Sequence, residues 1–249
     1  MTDDIRQSSG SALGTSAEGA AKGVFITFEG GEGAGKSTQI AHLKRRLADH
    51  GLTVVETREP GGSAFADGLR TLLLDAHTAP QSALAQALAF YAARADHLAA
   101  SIRPALKAGK AVLCDRFSDS TRAYQGAAGE LPAELIEALD RAVVGETRPM
   151  LTLLLDIDPK VGLQRANARR TAIQAGGFIA ADSFEGRQLQ FHRRVREGFL
   201  AIARAEPERV FVIDAFQNEL VIADAIWVIV AERLGFRGTV RGTDSGGAG

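Results

Sequence analysis

The chain has 249 residues, a formal net charge of −1 and 45% hydrophobic residues. This length suits one large or two small domains, and the near-neutral charge gives no electrostatic reason to expect a nucleic-acid polymer or an anionic membrane as a partner. The single cysteine, Cys114, cannot form an internal disulfide, and no apolar stretch approaches the roughly 20 residues that cross a bilayer, so we expect a cytoplasmic protein.

Both ends of the chain have the composition of disordered tails. Residues 1–22 are rich in glycine, serine, alanine and threonine, and residues 238–249 are similar. Neither stretch shows the apolar periodicity that would let it bury enough surface to offset the entropy of ordering. One domain is therefore predicted over residues 23–237.

Strands and helices alternate between the tails. Short apolar strands separated by amphipathic helices predict one α/β domain with a five-stranded parallel sheet flanked by helices on both faces. In chain order we predict a strand at 24–29, a helix at 36–50, a strand at 53–57, helices at 64–75 and 81–107, a strand at 111–114, helices at 118–125 and 132–144, a strand at 151–156, a helix that starts after Pro159, a helix at 184–205, a strand at 210–213 and a helix at 220–234.

A glycine-rich loop follows the first strand. Residues 30–37 fit the P-loop pattern G-x-x-x-x-G-K-S, in which curled backbone N–H groups and the start of the next helix cradle phosphates. Lys36 is expected to reach the β- and γ-phosphates, and the Ser37 hydroxyl to ligate Mg²⁺. A chance glycine-rich turn is the alternative, but the strand before and the helix after favour a P-loop. The predicted ATP-binding residues are Gly30, Gly31, Glu32, Gly33, Ala34, Gly35, Lys36, Ser37 and Thr38.

The P-loop leaves several reactions open. Kinases, motor and transport ATPases and GTPase switches all use one. A GTPase would need a guanine-binding N/T-K-x-D segment, which the sequence lacks. ATPase machines normally carry more chain or a partner-binding surface. Phosphoryl transfer between small molecules remains, provided that an acceptor site exists.

An aspartate and an arginine at the end of the third strand are candidates for that acceptor site. Parallel sheets bind ligands at the carboxyl ends of their strands, where Asp115 and Arg116 are expected. The aspartate can hold Mg²⁺ through water, and the arginine can bracket a phosphate with two parallel hydrogen bonds. The alternative is a surface salt bridge of little energetic value.

Three segments together resemble one family. Residues 115–125, DRFSDSTRAYQ, resemble the D-R-[YFH]-x-x-S-x-x-A-Y-Q segment of thymidylate kinases, residues 58–62 resemble their R-E-P-G-G turn, and residues 90–94 resemble their F-Y-A-A-R helix. The similarity runs from about 24 to 234. It implies a P-loop kinase fold, a homodimer, and transfer of the γ-phosphoryl group of ATP to dTMP, giving dTDP and ADP in dTTP biosynthesis.

The resemblance also implies how dTMP is bound. Phe90 would stack on thymine, Arg94 would donate to a thymine carbonyl, and Tyr124 would lie under the deoxyribose. Without the family pattern, Phe90 and Tyr124 would be taken for core residues and Arg94 for a surface charge. The other residues to which the resemblance gives a substrate-binding role are Thr121 and Gln125 at the base edge, Arg116 and more weakly Arg70 at the phosphate, Arg58 in the R-E-P-G-G turn, and Glu32 near the sugar and the transferring phosphates.

Catalytic charge is expected from Lys36, Mg²⁺, Arg116 and the segment RANARR at 165–170. Thymidylate kinases carry an arginine either in the P-loop or in a mobile lid. Gly33 occupies the P-loop position here, so the chain resembles the bacterial lid-arginine type, with a lid at about 165–184 and with Arg165 and Arg169 as catalytic residues. The stretch 171–185 is more apolar than the lid of relatives, and Asp182 is followed by Ser183 instead of arginine. The alternative is a solvated helix face.

Two other functions stay open. A different nucleoside or nucleoside monophosphate kinase, acting for instance on guanylate or a free deoxynucleoside, would share most of these features. A non-catalytic nucleotide-binding or scaffold protein would also keep the fold. Intact Lys36, Ser37, Asp115 and Arg116 argue against the second, because a binding module needs no second phosphate clamp.

Overall fold

The computed structural model describes residues 23–75, 77–174 and 189–236. The predicted tails at 1–22 and 238–249 and the last part of the predicted lid lie outside these ranges. Within them, no helix is long and apolar enough to span a bilayer.

The five strands form one parallel sheet, as predicted. They are β1 (Val24–Gly30), β2 (Val54–Arg58), β3 (Ala111–Asp115), β4 (Leu151–Asp156) and β5 (Val210–Asp214), in the spatial order β2-β3-β1-β4-β5. Phe28 of β1 and Arg58 of β2 both lie opposite Asp115. Because β3 lies between β1 and β2, the loops that follow all three strands meet at the same edge of the sheet.

Helices cover both faces of the sheet. Two of them start in different ways: α1 follows Gly35, whose left-handed φ of 92° glycine tolerates, whereas α2 is capped by the Ser63 hydroxyl, which accepts a hydrogen bond from Ala66 N. The helices are α1 (Lys36–Asp49), α2 (Ala64–Leu74), α3 (Ala83–His97), α4 (Arg103–Lys107), α5 (Ser118–Thr121), α6 (Ala133–Val143), α7 (Pro159–Gln174), α8 (Leu189–Ala205) and α9 (Glu219–Leu234).

The core has one layer on each side of the sheet. Ile26 and Phe28 of β1 face α1 and α9, where they join a cluster that includes Leu43 and Ile226. Alternate residues of β1 point to the other face, where Phe25 packs with Phe117. This alternation directs Thr27 and Glu29 to the same side as Phe25. Glu29 is therefore a fully buried carboxylate at the end of the central strand.

Two predicted helices are wound differently from the expectation. The predicted helix at 81–107 consists of α3, a π-helical turn at Leu98–Ile102 and α4, in which Pro104 has no N–H to donate. The predicted helix at 118–125 is α5 followed by a π-helical turn at Arg122–Ala127. Wider π turns change the direction in which side chains point, and they are frequent at functional sites. The second one carries Tyr124 and Gln125.

Candidate active site

A cavity of about 780 Å³ opens at the carboxyl edge of the sheet. The P-loop forms one end, α3 with the second π turn forms the other, and the end of β3 lies between them. Predicted site residues that line it are Glu32, Gly33, Ala34, Gly35, Lys36, Ser37, Arg58, Arg70, Phe90, Arg94, Asp115, Arg116, Thr121, Tyr124, Gln125 and Arg169. Four predicted site residues are not part of its wall: Gly30, Gly31, Thr38 and Arg165.

The P-loop has the backbone conformation that its glycines predict. Gly30, Gly33 and Gly35 have φ values of 132°, 67° and 92°, which side chains disfavour. Gly33 also packs against α7, since a Cβ there would lie 2.1 Å from the carbonyl oxygen of Gly162. A Cβ on Gly162 would in turn lie 2.3 Å from the Glu32 carbonyl oxygen. Position 33 therefore accepts no side chain unless α7 moves away.

Lys36 is buried in the curl of the loop. Its Nζ donates to the carbonyl oxygens of Gly30 and Gly31 at 3.4 and 3.3 Å. Burial, and then the charge of Arg116, lower the pKa of Lys36. Both effects disfavour the charged form of Lys36, so the negative charge of a bound phosphate would stabilise that form and is well matched to this end of the cavity.

Asp115 and Ser37 are the predicted ligands of a magnesium ion. Asp115 Oδ1 lies 4.0 Å from Lys36 Nζ, and this buried oxygen accepts no hydrogen bond from the described residues. Ser37, the first residue after Lys36 in α1, is exposed and also lines the cavity. No cluster of three or more histidine, cysteine or acidic side chains with metal-binding geometry occurs in the described ranges. Two oxygen ligands such as Asp115 Oδ1 and the Ser37 hydroxyl suit Mg²⁺, which takes one or two protein oxygens and completes its shell with water and phosphate oxygens.

Arg116 connects the P-loop to the second π turn. Its Nη1 donates to Gly30 O at 3.0 Å and to Ser120 Oγ at 3.2 Å, and its Nη2 donates to Glu32 Oε1 at 2.9 Å. The guanidinium carbon lies 5.1 Å from the centre of the Tyr124 ring. The side chain is thereby oriented from several directions between the P-loop and the part of the cavity lined by α3 and the second π turn.

Glu32 is a negative charge within a positive environment. It accepts hydrogen bonds from Arg116 and, at 3.1 Å, from the Tyr124 hydroxyl. Burial alone would raise the pKa of Glu32, but the charges of Arg116 and Lys36 outweigh it and the pKa is lowered. The carboxylate is ionised near neutral pH and keeps Arg116 and Tyr124 in place.

Glu29 is a residue that the sequence analysis missed. Its Oε1 accepts from the backbone N–H groups of Phe117 and Ser120 at 2.8 and 3.2 Å, and its Oε2 accepts from Ser120 Oγ at 2.6 Å. These bonds fix the turn in which Arg116 has a positive φ of 70°, a conformation that residues with side chains disfavour. Burial, and then Asp119, raise the pKa of Glu29 to about 7.

The far end of the cavity is lined by an aromatic ring and by buried polar groups. Phe90 lines this end together with Arg94, which is only 2% exposed. Thr121 and Gln125 are buried, and Gln125 donates to Gln86 Oε1 at 3.3 Å. This burial excludes the alternative in which Arg94 is a solvated surface charge. A flat, polar-edged ring is the type of group that such walls would hold.

Of the four other arginines predicted to belong to the site, three line the cavity and one does not. Arg58 and Arg70 lie on the β2–α2 side, where Arg70 Nη1 donates to Pro60 O at 2.9 Å. Arg169, on α7, lines the cavity from the side of the P-loop. Arg165 instead donates from Nη1 to the carbonyl oxygen of Ala215 at 3.1 Å, after β5. The segment 175–188, which includes Asp182, lies outside the described residues.

These features define a class: a P-loop kinase with a triphosphate cradle and a second, side-chain-built pocket in one cavity. The comparisons with known proteins define the family. The family model for thymidylate kinase matches residues 28–226. The chain is 52% identical over 214 residues to the thymidylate kinase of Caulobacter vibrioides, covering 86% of this chain and 99% of that protein, and 48% identical over 216 residues to that of Bradyrhizobium sp. ORS 278, covering 87% and 93%.

A solved structure gives the same result. The crystal structure of thymidylate kinase from Ehrlichia chaffeensis superposes with a TM-score of 0.66 at 31% identity, covering 84% of this chain and 98% of that one. The chain belongs to the thymidylate kinase family. The predicted P-loop kinase fold is confirmed, and the chain is an ATP-dependent kinase whose family reaction converts dTMP to dTDP.

Proposed function

We propose that the cavity binds ATP and dTMP end to end, with the triphosphate on the P-loop and the acceptor phosphate beside Arg116. The observation that carries this arrangement is the continuity of one cavity from Lys36 and Ser37, past Asp115 and Arg116, to Phe90 and Arg94. The two substrates would meet where the backbone cradle ends and the side-chain pocket begins.

Positioning and charge neutralisation are the chemistry that this arrangement supports. The acceptor is a phosphate oxygen that is already anionic near neutral pH, so it needs no strong general base. The obstacle is repulsion between two polyanions, which Lys36 and Arg116 oppose from fixed positions. Asp115 Oδ1 and the Ser37 hydroxyl would hold a Mg²⁺ ion, which when bound would supply positive charge that offsets the charge of the phosphates.

We assign the remaining catalytic charge to α7, which contains the first part of the predicted lid, as in the lid-arginine type. Support comes from the contact between Gly33 and Gly162, which leaves no room for a P-loop side chain and sets α7 directly against the loop. Arg169, two turns further along α7, lines the cavity. Arg165 is held by Ala215 in this structure and would act only after that bond breaks.

At the acceptor end, Phe90 would stack on the thymine ring and Arg94 would donate to a base carbonyl. Thr121 and Gln125 border the same space, and Tyr124, placed by Glu32, would lie against the deoxyribose. A coupled ADP-release assay over a panel of monophosphates tests the assignment. We expect dTMP to be the fastest acceptor, dUMP to be slower, and purine monophosphates to be negligible. Faster turnover of GMP or AMP than of dTMP would refute it.

We also propose a cytoplasmic homodimer. Two groups of exposed apolar side chains are candidate interfaces: one on the mutually packed helices α2 and α3, and one around β5 and α9. Leu88→Glu and Val228→Glu place a charge in each group in turn. Light scattering of both variants identifies the interface, because only the substitution at the true contact shifts the mass to that of a monomer. The groups consist of Phe65, Leu72, Leu84 and Leu88, and of Val212, Phe216, Leu220, Val221 and Val228.

A further inference from the structure

Arg94 is held rigidly, yet one of its donors meets no acceptor in the part of the chain that the structure describes. Its Nε donates to Glu59 Oε2 at 2.8 Å and its Nη2 to Thr121 Oγ1 at 3.1 Å. The rings of Tyr91 and Phe117 lie 4.7 and 5.1 Å from its guanidinium carbon. Nη1 is buried and finds no acceptor among the described residues. A buried donor without an acceptor is energetically costly, so its position in a cavity wall indicates that a bound ligand supplies the acceptor.

Glu59, the carboxylate that holds Arg94, is itself positioned by His97. Glu59 Oε1 lies 3.0 Å from His97 Nδ1, and His97 Nε2 lies 2.7 Å from Thr57 Oγ1. A carboxylate only accepts, so Nδ1 carries the proton in this contact. Glu59 and His97 are 5% and 0% exposed. A Cβ on Gly62 would lie 2.3 Å from His97 Nε2, so the backbone of the turn is shaped around the imidazole.

We propose that Glu59 and His97 are positioning residues that fix Arg94 and thereby set the selectivity for the acceptor base. The inference rests on the proposed function, with dTMP in the acceptor end of the cavity. A guanidinium has only donors, so it matches a ring carbonyl and opposes a ring amine. That discrimination requires a guanidinium that cannot turn away, and the hydrogen-bonded series Thr57–His97–Glu59 prevents it from turning.

The test compares dTMP with dCMP, which carries an amine in place of one thymine carbonyl. Glu59→Gln removes the charge that holds Arg94 at nearly constant size. We expect the ratio of kcat/KM for dTMP over dCMP to fall about tenfold or more, since a hydrogen bond to a charged group is worth about 10- to 150-fold. Thr57→Val removes only the contact between Thr57 Oγ1 and His97 Nε2, so it should lower this ratio less. KM for ATP should stay within about twofold in both.

Two further variants separate positioning from general damage. His97→Asn can place its amide nitrogen where Nδ1 lies and should retain the selectivity, whereas His97→Leu should lose it. Ile226→Val, on the core-facing side of α9, is the control for lost stability and should leave the ratio unchanged. An unchanged ratio in Glu59→Gln and His97→Leu, or equal losses for dTMP, dCMP and ATP, would overturn the proposal.

The proposed function can fail separately. If the wild-type chain does not phosphorylate dTMP, that function is refuted. Calorimetric titration of dTMP and dCMP into the wild type and Thr57→Val then decides the positioning role: a smaller affinity difference in the variant supports it, and the same difference overturns it.

Discussion

The two ends of the cavity are built by different means. At the P-loop end, consecutive residues supply backbone groups and one lysine, and the geometry follows from glycines within a single loop. At the Arg94 end, buried side chains come from the turn after β2, from α3 and from the second π turn, and each is oriented by another side chain. The first end is a local structure that suits any triphosphate. The second is a long-range network whose selectivity depends on many partners.

The largest effect is expected at the P-loop end. Lys36→Met keeps much of the length of the side chain but removes its charge, which we place at the transferring phosphates. Removing one such preorganised contact typically costs about 10²–10³ in kcat. The affinity for dTMP, measured by calorimetry, should change little because Lys36 is remote from Phe90 and Arg94. A large loss of dTMP affinity with normal kcat would show that the two ends are not separable.

A smaller loss is expected from α7, where two arginines form a matched pair. Arg169 lines the cavity, whereas Arg165 donates to Ala215 O. Cationic fingers in related phosphoryl transfer are worth about 10³–10⁵ in rate, and a lid with several arginines shares that effect, so we expect a loss of about 10² in kcat for Arg169→Ala. Arg165→Ala should cost less than about tenfold, since its contact in this structure is structural.

Measuring kcat of both variants at saturating ATP and dTMP tests these two roles. If Arg169→Ala keeps the wild-type kcat at saturating ATP and dTMP, the arginine belongs to a solvated helix face and the missing charge comes from elsewhere. Equal losses in both variants would indicate that Arg165 leaves Ala215 during the reaction.

The same contrast explains what the sequence could predict. The P-loop, the five strands and the position of Asp115 follow from short patterns, because backbone periodicity and glycine conformation are local properties. Glu29 was missed because a charged residue inside an apolar strand gives no sign of its partners, which lie about 90 residues later at 117 and 120. The sequence feature that could have revealed Glu29 is a carboxylate on the buried face of an apolar strand. Similarly, a glycine inside a predicted helix could have revealed that α7 closely approaches the P-loop at Gly162.

An acceptor-specific loss is expected for Arg116→Ala. The loss of contacts from this guanidinium should raise KM for dTMP by about 10- to 150-fold, the range for hydrogen bonds to charged groups. ATP affinity should be nearly intact, because Arg116 touches the P-loop only at Gly30 O and Glu32. Arg116→Lys is the matched control: it keeps the charge and loses the two-pronged geometry. Equal losses for ATP and dTMP by calorimetry would assign Arg116 a structural role.

The smallest effect on turnover, but a distinct effect on stability, is expected for Glu29→Gln. The glutamine oxygen can accept from Phe117 N and Ser120 N, and its amide can donate to Ser120 Oγ, so the turn should survive. The pKa of Glu29 is raised from 4.5 to about 7 by burial and by Asp119, against the opposing effect of Arg116. Between these values the folded state binds a proton that the unfolded state has released, so wild-type stability falls as pH rises through this window.

Glutamine lacks this titration, so the free energy of unfolding of Glu29→Gln should rise relative to that of the wild type by about 2–3 kcal/mol between pH 5 and pH 8. Urea denaturation at several pH values measures the difference. Glu208→Gln, at a side chain that is 95% exposed, is the control and should show no such trend. A difference between Glu29→Gln and wild type that stays constant with pH would mean that Glu29 is ionised throughout, held charged by Arg116 and by the two backbone N–H groups. The Arg116 turn would then depend on a buried anion, and the substitution should lower kcat/KM for dTMP at every pH.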